Sequence, residues 1–382
     1  MNDFELRDVC TRLSSGKGIR SSELYHNGKY PVIGGNGERG RTETYNFDGE
    51  CAIIGRQGAN CGNVRFFIGR AYMTEHAVVA QANDKADTRY LAYLLSTMHL
   101  GSLSAQSAQP GLSVKTLSKQ VVSLPSLTVQ RQCSKILSSF DQEINNLHQT
   151  NGHLLELLKI EFAHRFENED TPISDLGSVV SIWKKTVKPA NNPDKYWEHY
   201  SIPAFDAEQY PSFELGNTIK SNKYEVVPNS VLVSKLNPTT RRLWLPQLIN
   251  DENAICSTEF IEYVPDNEKD YSFYCSALMQ DRFFGYLEGH VTGSTGSRQR
   301  VHPNDTLAYT VPNPNASEIQ DYCKFADPVI RQIRNASIES RRLTMLRDAL
   351  LPKLMSGEID VSKIELPTLP TQTVHTNGRL FD

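Results

Sequence analysis

The sequence has little of what marks secreted, membrane or metal-binding proteins. Its 7 cysteines are scattered and include no Cys-x-x-Cys pair, which argues against a disulfide framework and a zinc ribbon and indicates reduced thiols. No apolar run approaches the roughly 18 residues that a membrane helix needs. Acidic Asp3, Glu5 and Asp8 stand where a signal peptide would carry basic residues. We therefore expect a cytoplasmic protein with no membrane partner.

Motifs that carry catalysis are also missing. The sequence contains no Gly-x-x-x-x-Gly-Lys-Ser/Thr phosphate loop, no Gly-x-Ser-x-Gly nucleophile elbow and no His-Glu-x-x-His zinc motif. The 10 histidines show no metal-ligand spacing. We therefore expect a chain that is not an enzyme by itself and that binds no metal or cofactor.

Charge is nearly balanced, with 40 basic and 44 acidic side chains over 382 residues. The length predicts two or three compact units, and the net charge of -4 means that any nucleic-acid surface must be local. Three stretches contain basic residues and no acid, namely residues 55–70, 234–250 and 289–302. These stretches are the candidate basic surfaces.

The second half of the sequence repeats the first, with a slowly growing offset. The matching segments, in order, are residues 6–9 with 173–176, 30–33 with 200–203, 52–56 with 231–235, 75–78 with 252–255, and 124–125 with 311–312. Short β-branched runs and Gly, Pro and Asn turns predict strands in both copies. The first two acid-free stretches fall at equivalent positions, which favours a shared binding role over two unrelated surface loops.

After each copy the apolar period changes from two residues to a helical one. The first predicted helix runs over residues 129–166 and the second over residues 317–355. Their apolar residues recur in heptads, which predicts that the two helices pair as an antiparallel coiled coil about 50 Å long. The predicted pairing residues are Phe140, Ile144, Leu147, Asn151, Leu154, Leu158, Ile319, Ala326, Ile330, Ile333, Leu346 and Leu350.

The predicted fold is therefore α+β, with two repeated domains on two long antiparallel helices related by a pseudo-two-fold axis. The predicted segments are a first recognition domain (1–127), a first spacer helix (128–168), a second recognition domain (169–314), a second spacer helix (315–358) and a flexible C-terminal tail (359–382).

The closing run Leu346-Arg-Asp-Ala-Leu-Leu-Pro-Lys-Leu-Met-Ser-Gly-Glu-Ile359, together with Leu124-Pro125-x-Leu127 followed by Gln130, resembles the DNA specificity subunit of type I restriction-modification systems. The resemblance extends over nearly the whole chain. One departure is the end of the first helix, residues 159–166, which lacks the Leu-Pro-Lys-Leu ending of the second.

The resemblance implies a non-catalytic, cytoplasmic subunit that reads a bipartite target in double-stranded DNA. It also implies that two modification (methyltransferase) subunits dock on the central helices and that restriction subunits, which carry motor and nuclease activities, join them. S-adenosylmethionine, ATP and Mg²⁺ are then expected on the partner subunits and none of them on this chain.

Lys and Arg would position the domains on phosphates, and Arg, Gln, Asn and Ser would read base edges. The predicted DNA-contact residues of the first domain are Arg39, Arg41, Arg56, Gln57, Asn60, Arg65, Gln109 and Lys115. Those of the second domain are Lys184, Lys235, Thr239, Arg241, Arg242, Ser297, Arg298, Gln299 and Arg300.

Two other interpretations stay open at this point. Asp48, Glu50 and Glu75 could converge in an enzyme that hydrolyses DNA or carbohydrate. Alternatively, the chain could be a scaffold that binds proteins and not DNA, with incidental basic loops. DNA cleavage by the chain with Mg²⁺ would support the first alternative, and DNA binding that is insensitive to salt would support the second.

Overall fold

The computed structural model describes residues 1–104, 111–293, 299–362, 364 and 379–381. These residues form many short strands, several short helices and two long helices, so the fold is α+β as predicted. The chain forms two compact units: unit 1 comprises residues 1–143 and 343–382, and unit 2 comprises residues 144–342. The five predicted segments remain a prediction.

The elements of the first half are β1 (Asn2–Glu5), β2 (Cys10–Ser15), β3 (Tyr30–Gly34), β4 (Gly37–Thr42), β5 (Phe47–Gly55), β6 (Val64–Met73), β7 (Ala77–Ala82), α1 (Thr88–Thr97), α2 (Val114–Ser118), β8 (Val121–Leu124) and α3 (Leu127–Phe166). Those of the second half are β9 (Ile173–Asp175), β10 (Val180–Trp183), β11 (Thr186–Val187), β12 (Tyr196–Tyr200), α4 (Ile202–Glu208), β13 (Ser212–Leu215), β14 (Lys223–Glu225), β15 (Val231–Ser234), β16 (Leu243–Trp244), β17 (Ala254–Ser257), β18 (Phe260–Pro265), α5 (Tyr271–Leu278), α6 (Asp281–Gly289), β19 (Val291–Thr292), β20 (Arg300–Val301), β21 (Thr310–Pro312), α7 (Ala316–Ser356) and β22 (Arg379–Phe381).

Unit 1 is built around a mixed sheet with the strand order β2-β7-β5-β6-β3-β4, to which β22 adds on β6. Residues 51–55 of β5 and 77–80 of β7 are buried in unbroken runs, as expected for strands covered on both faces. One face packs against α1, the start of α3 and the end of α7. Ile33, Phe67 and their neighbours form the core on the other face.

The described parts of residues 359–382 differ from the flexible tail that the sequence predicted. Val361 is buried in the core of unit 1, with Ile359 half-buried beside it. Strand β22 pairs antiparallel with β6, so that Leu380 lies opposite Phe67 and packs against the second core. The composition of this segment does not predict the docking, because a few apolar side chains are enough to hold an otherwise polar segment on a sheet.

Unit 2 contains two main sheets, with the strand orders β10-β18-β15-β16 and β11-β14-β17-β12-β13. Its larger core packs β15, β18, α5 and α6 against the end of α3 and the first part of α7. Aromatic rings fill much of this core: Phe162 meets Phe273 and Tyr322 edge to face, at centroid distances of 5.1 and 5.6 Å. A second core around Tyr200 and Trp244 supports the segment that follows β15.

A buried acid lies on β18 in unit 2. Glu262 is 1% exposed and accepts a hydrogen bond from the backbone amide of Val227 at 2.8 Å. Burial raises the pKa of Glu262 to about 7. Because this pKa lies above the ordinary value of 4.5, the folded state favours the protonated form. The stability contributed by protonated Glu262 is complete below about pH 4.5 and is lost as the pH rises through about 7.

We expect Glu262→Gln to raise the free energy of unfolding at pH 8 by roughly 2–3 kcal/mol, because the amide cannot ionise and its oxygen can still accept from Val227. At pH 5 the gain should fall to about 1 kcal/mol or less, since Glu262 is then protonated in the folded chain but still ionised in most unfolded chains. Chemical denaturation at the two pH values measures both numbers. An equal gain at pH 5 and pH 8 would show that ionisation of Glu262 is not the cause.

The starts of the two units correspond, and they correct one predicted alignment. Each begins with a strand, a 3-10 turn (Leu6–Val9 or Leu176–Ser178) and a second strand. The amide of Leu6 donates to the carbonyl oxygen of Gln120 at 2.8 Å, and that of Leu176 to Tyr309 at 2.7 Å. Leu6 therefore corresponds to Leu176, whereas the sequence match placed it at Ile173.

Strand pairing also shows that the match of residues 75–78 with 252–255 is wrong. Strand β7, which carries Ala77 and Val78, pairs with β2 and β5. Strand β17, which carries Ala254 and Ile255, pairs parallel with β12, as the end of β6 pairs parallel with β3. The counterpart of β7 is β18, because β18 pairs with β10 and β15.

The match of residues 30–33 with 200–203 holds only at its first residue. Tyr30 to Ile33 lie in β3, and Tyr200 is the last residue of β12. Ile202 and Pro203 begin α4, because the side chain of Ser201 accepts a hydrogen bond from the amide of Ala204 and caps that helix.

The long helices run antiparallel within unit 2. The side-chain amide of Asn151 donates to the carbonyl oxygen of Ile333 at 3.2 Å and to Oγ of Ser337 at 3.0 Å. Further along α3, the carbonyl oxygen of Leu158 accepts from the hydroxyl of Tyr322 at 3.2 Å. Among the predicted pairing residues, the buried ones are Ile144, Leu158, Ile319, Ala326, Ile330 and Ile333, and the half-buried ones are Phe140, Leu147, Asn151, Leu154 and Leu350.

One predicted pairing residue, Leu346, is instead 48% exposed. The residue of this turn that meets α3 in unit 1 is Arg347, which donates to Asp141 at 2.9 Å. Leu350 packs against the core of unit 1. Steps of seven from Ile333 lead to Ser340, which is buried, and then to Arg347, so Leu346 lies one residue off these heptad positions.

Candidate nucleic-acid interface

The first acid-free stretch opens with a tight loop after β5 in unit 1. The amide of Gly62 donates to the carbonyl oxygen of Gly55, and the amide of Gly55 to that of Asn63, both at 2.8 Å. A Cβ on Gly62 would lie 2.0 Å from the amide nitrogen of Gly101, and Gly62 has a φ of +86°. Only glycine fits this position, so the path of the loop is closely constrained.

This loop pairs with a segment far along the chain. The amide of Leu112 donates to the carbonyl oxygen of Arg56 at 2.9 Å, and Gln57 forms an antiparallel bridge with Gly111. Residues 55–63 and 111–112 are called loop pair 1 below. Loop pair 1 thus joins the first acid-free stretch to the neighbourhood of α2.

In unit 2 the second acid-free stretch meets the third. The amide of Val301 donates to the carbonyl oxygen of Lys235 at 3.1 Å, and that of Asn237 to Gln299 at 2.9 Å. An antiparallel bridge joins Leu236 to Arg300. Residues 235–242 and 299–301 are called loop pair 2 below.

The two loop pairs are connected in the same way. Arg56 and Lys235 follow the aligned ends of β5 and β15, and each accepts a backbone hydrogen bond from a residue of the distant segment. That residue is Leu112 in unit 1 and Val301 in unit 2, and both are buried. The first two acid-free stretches therefore each pair with a distant segment at corresponding places in the two units.

The predicted DNA-contact residues divide into three groups. Those on the loop pairs are Arg56, Gln57, Asn60, Lys235, Thr239, Arg241, Arg242, Gln299 and Arg300. Those on other elements are Arg39 and Arg41 in β4, Arg65 in β6, Lys115 in α2 and Lys184 just after β10. Gln109, Ser297 and Arg298 lie outside the described residues.

Acids from neighbouring elements hold the arginines of loop pair 2. Arg242 donates twice to Asp206, at 2.6 and 2.8 Å, and only 12% of its side chain is exposed. Arg241 pairs with Asp281, and Arg300 forms a bidentate pair with Glu259, with distances of 2.9 and 3.0 Å. Arg242 therefore anchors the loop, whereas the more exposed side chains of Arg241 and Arg300 are better placed to meet a ligand.

Arg41 is similarly engaged within unit 1. Its guanidinium donates to the carbonyl oxygens of Gly28 at 2.6 Å and Lys29 at 3.1 Å, and it pairs with Glu38 at 3.2 Å. These contacts hold the β3–β4 hairpin to the segment before it. Arg39, two residues earlier on β4, is exposed.

No pattern in the sequence marks the acids that complete loop pair 2. Asp206, Glu259 and Asp281 lie outside the acid-free stretches that led to the arginines. They meet those arginines only through the tertiary fold, so local charge patterns could not reveal them. The consequence is that an acid-free stretch does not amount to an unpaired basic surface.

Two of the three acids proposed for a hydrolase, Asp48 and Glu75, have neighbouring basic partners. Asp48 pairs with Arg70 at 2.8 Å, and Glu75 lies 3.2 Å from His76. Within the described residues, no group of three or more His, Cys, Asp or Glu side chains could hold a metal ion. None of the helices in the described part of the chain is long and apolar enough to cross a membrane.

Residues 1–156 match the family described as type I restriction modification DNA specificity domain. The specificity subunit of the type I restriction enzyme EcoprrI from Escherichia coli is 41% identical over 118 residues, 31% of this chain and 29% of that subunit. A putative type I specificity subunit from Mycoplasma pneumoniae is 26% identical over 163 residues, 41% of this chain and 53% of the relative. The chain therefore spans about a third to a half of these two relatives.

A longer match is to the MjaIX specificity subunit from Methanocaldococcus jannaschii, 24% identical over 74% of this chain and 71% of that one. Among solved structures, the type I restriction-modification S subunit from M. genitalium superimposes with a TM-score of 0.61 at 17% identity. The superposition covers 92% of this chain and 95% of the other. At that identity the likeness concerns the fold alone.

Proposed function

We propose, because residues 1–156 match the type I restriction modification DNA specificity domain, that the chain is the non-catalytic subunit that selects the DNA sequence in a type I restriction-modification complex. The observation that carries the proposal is that the acid-free stretches 55–70 and 234–250 each pair with a distant segment, at corresponding places in the two units.

Residues 1–127 and 169–314 act as two recognition domains derived from one ancestral unit. A pair of glutamines supports this repeat. The side-chain amide of Gln130, near the start of α3, donates to the carbonyl oxygen of Lys85 at 3.2 Å. That of Gln320, near the start of α7, donates to the carbonyl oxygen of Lys269 at 3.3 Å. Both acceptors lie just before the next helix of the domain, α1 or α5.

Two similar but non-identical domains suit a bipartite target in double-stranded DNA. Loop pair 1 offers Arg56, Gln57 and Asn60, and loop pair 2 offers Lys235, Thr239 and Arg241, so the two domains present different donors to base edges. Exposed cations would bind phosphates and set the position of each domain. The two half-sites would then differ in sequence and be separated by unread base pairs.

The paired helices would form the coiled-coil spacer and the docking surface for two modification (methyltransferase) subunits, to which restriction subunits add. S-adenosylmethionine, ATP and Mg²⁺ belong to those partners in this proposal, and the complex works in the cytoplasm. The polar contact of Asn151 with Ile333 and Ser337 supports a fixed register between the helices, because a polar group within an apolar seam disfavours slipped pairings.

The salt dependence of DNA binding tests the role of loop pair 2. We expect Lys235→Ala with Arg241→Ala to weaken binding of the assembled complex to target DNA, since each lost phosphate contact lowers the slope of log K against log salt by about 0.9. Fluorescence anisotropy at several salt concentrations measures affinity and slope. Arg242 stays intact in this variant, because its buried pair with Asp206 maintains the loop.

The matched control is Lys220→Ala, which removes an exposed cation of unit 2 outside loop pair 2. It should leave both affinity and slope unchanged. If the double variant folds and behaves like this control, loop pair 2 does not contact DNA. Wild-type binding that is insensitive to salt would instead favour the scaffold alternative.

A further inference from the structure

A buried carboxylate lies at the far end of the acid-free stretch that begins loop pair 2. Glu198 on β12 is 2% exposed. One of its oxygens accepts a hydrogen bond from the hydroxyl of Tyr200 at 2.7 Å, and the other accepts from the backbone amide of Ile249 at 3.0 Å. The same hydroxyl lies 3.3 Å from the carbonyl oxygen of Gln247. Glu198 thus binds the chain where residues 234–250 return to the sheet.

Core packing does not explain a carboxylate at this position. Burial raises the pKa of Glu198, and the hydrogen bonds from Tyr200 and from the amides of Ile249 and Asn250 oppose that rise. An ionised carboxylate in an apolar site is unfavourable unless its hydrogen bonds offset the lost hydration. Here those bonds come from Tyr200 and from the returning segment, so the residue acts on the course of that segment.

The other end of the stretch is held separately. The amide of Lys235 donates to the carbonyl oxygen of Glu259, and the amide of Ser234 to that of Arg242, both at 2.9 Å. Between these two anchors the chain carries exposed Thr239 and Arg241. Between the loop and Ile249 the chain forms β16, in which Trp244 pairs with Leu232 of β15. The ring of Tyr200 packs edge to face on Trp244, at a centroid distance of 4.9 Å. Glu198 therefore acts on the loop by holding Tyr200 against β16 and by holding the chain after β16 at Ile249.

We propose that Glu198 is a positioning residue for base recognition by unit 2, acting through Ile249 and Tyr200 on the loop that carries Thr239 and Arg241. The inference rests on the proposed DNA-reading function and deepens it. Base-edge hydrogen bonds require side chains placed to within fractions of an ångström, whereas phosphate contacts tolerate small shifts. Loosening the loop should therefore reduce discrimination between bases more than overall affinity.

The test measures half-site discrimination by the chain assembled with its modification subunits. Methylation is followed on two duplex libraries, each with one half-site randomised and the other fixed. Three variants weaken the hydrogen bonds of Glu198 to different degrees. Glu198→Ala removes both acceptors. Glu198→Gln keeps one acceptor and turns a donor toward one of the two donating groups. Tyr200→Phe removes one hydrogen bond while keeping the ring.

Glu262→Gln is the matched control, because Glu262 is also a buried carboxylate of unit 2 but binds the amide of Val227, outside the acid-free stretch. We expect discrimination at the half-site read by unit 2 to fall about tenfold or more in Glu198→Ala and less in Glu198→Gln and Tyr200→Phe. Discrimination at the other half-site and the salt slope of binding should stay as in wild type. Glu262→Gln should match wild type at both half-sites.

Wild-type discrimination in folded Glu198→Gln and Tyr200→Phe would overturn the inference, and so would an equal loss at both half-sites. These two variants decide the matter even if Glu198→Ala fails to fold, because both nearly preserve side-chain volume. If the wild-type complex itself selects no bipartite sequence, the proposed function fails. If it selects one and the variants do so equally well, only the role of Glu198 fails.

Discussion

Exchange of residues 170–313 for the corresponding segment of a relative should replace one half of the recognised sequence completely and leave the other half unchanged. The exchanged segment contains loop pair 2 and the main strands of unit 2, from β9 to β21. Its ends fall close to the antiparallel pair of β9 and β21, where Ile173 lies opposite Pro312. The substituted domain can therefore be joined where its own terminal strands meet.

Sequencing of methylated sites in cells that express the chimaera measures this result. The gap between half-sites should also stay the same, because both long helices are retained. The matched control exchanges residues 1–124, which should alter the opposite half-site only. A change in both half-sites with either chimaera would show that the domains do not read DNA independently.

A seven-residue insertion in both long helices should lengthen the unread gap while preserving both half-sites. The insertion points face each other in unit 2. In α3 the insertion falls between His148 and Asn151, and in α7 between Ser337 and Ser340. The ring nitrogen Nε2 of His148 lies 2.8 Å from Oγ of Ser340, and Asn151 donates to Ser337 at 3.0 Å. One added heptad in each helix keeps these contacts on both sides and preserves the apolar period.

If the helices set the distance between the domains, the added length is about 10 Å. Translation alone then corresponds to about three base pairs. Three additional base pairs also rotate one half-site relative to the other by roughly 100°, at 10–10.5 base pairs per turn. A smaller increase in the gap would therefore require less twisting of the DNA to face both domains. We expect the preferred gap to grow by about one to three base pairs.

A four-residue insertion in both helices provides the control for register. It shifts the apolar seam out of its heptad phase, so the variant should be less stable and select targets poorly. Should the seven-residue variant fold, methylate DNA and keep the original gap, the helices would not set the spacing. The attached modification subunits would then have to determine it.

Periodic patterns predicted the broad architecture well, because burial imposes them along whole elements. The predicted helix over residues 129–166 is α3, Leu127–Phe166, and the one over residues 317–355 is α7, Ala316–Ser356. Individual positions within the pattern were less secure: Leu346 is exposed because it lies one residue off the heptad positions, which continue through buried Ser340 to Arg347.

The alignment of the two halves was wrong where it rested on short residue matches, because such matches do not show which strands pair. Ala254 and Ile255 resemble Ala77 and Val78 in type, yet they lie on a strand with different neighbours. Hydrogen-bond partners between strands depend on residues far apart in sequence, which a local match does not contain. The same holds for Glu198, whose partner Ile249 is distant along the chain.

The candidate interface was predictable in its loops and not in its electrostatics. Absence of acids identified residues 55–70 and 234–250, and the structure connects the chain after β5 and after β15 in the same way. The pairing of Arg242 with Asp206 and of Arg300 with Glu259 required the fold. For this reason half-buried Lys235 and exposed Arg241 are better targets for mutation than the stretch as a whole.

The most direct measurement of the central claim is a map of methylated bases across the genome in otherwise identical cells with and without this chain. The account predicts that one bipartite motif, with two dissimilar halves and a fixed gap, is methylated only when the chain is present. Identical methylation in both strains, with the chain folded and its modification subunits expressed, would contradict the claim that this chain selects the DNA sequence.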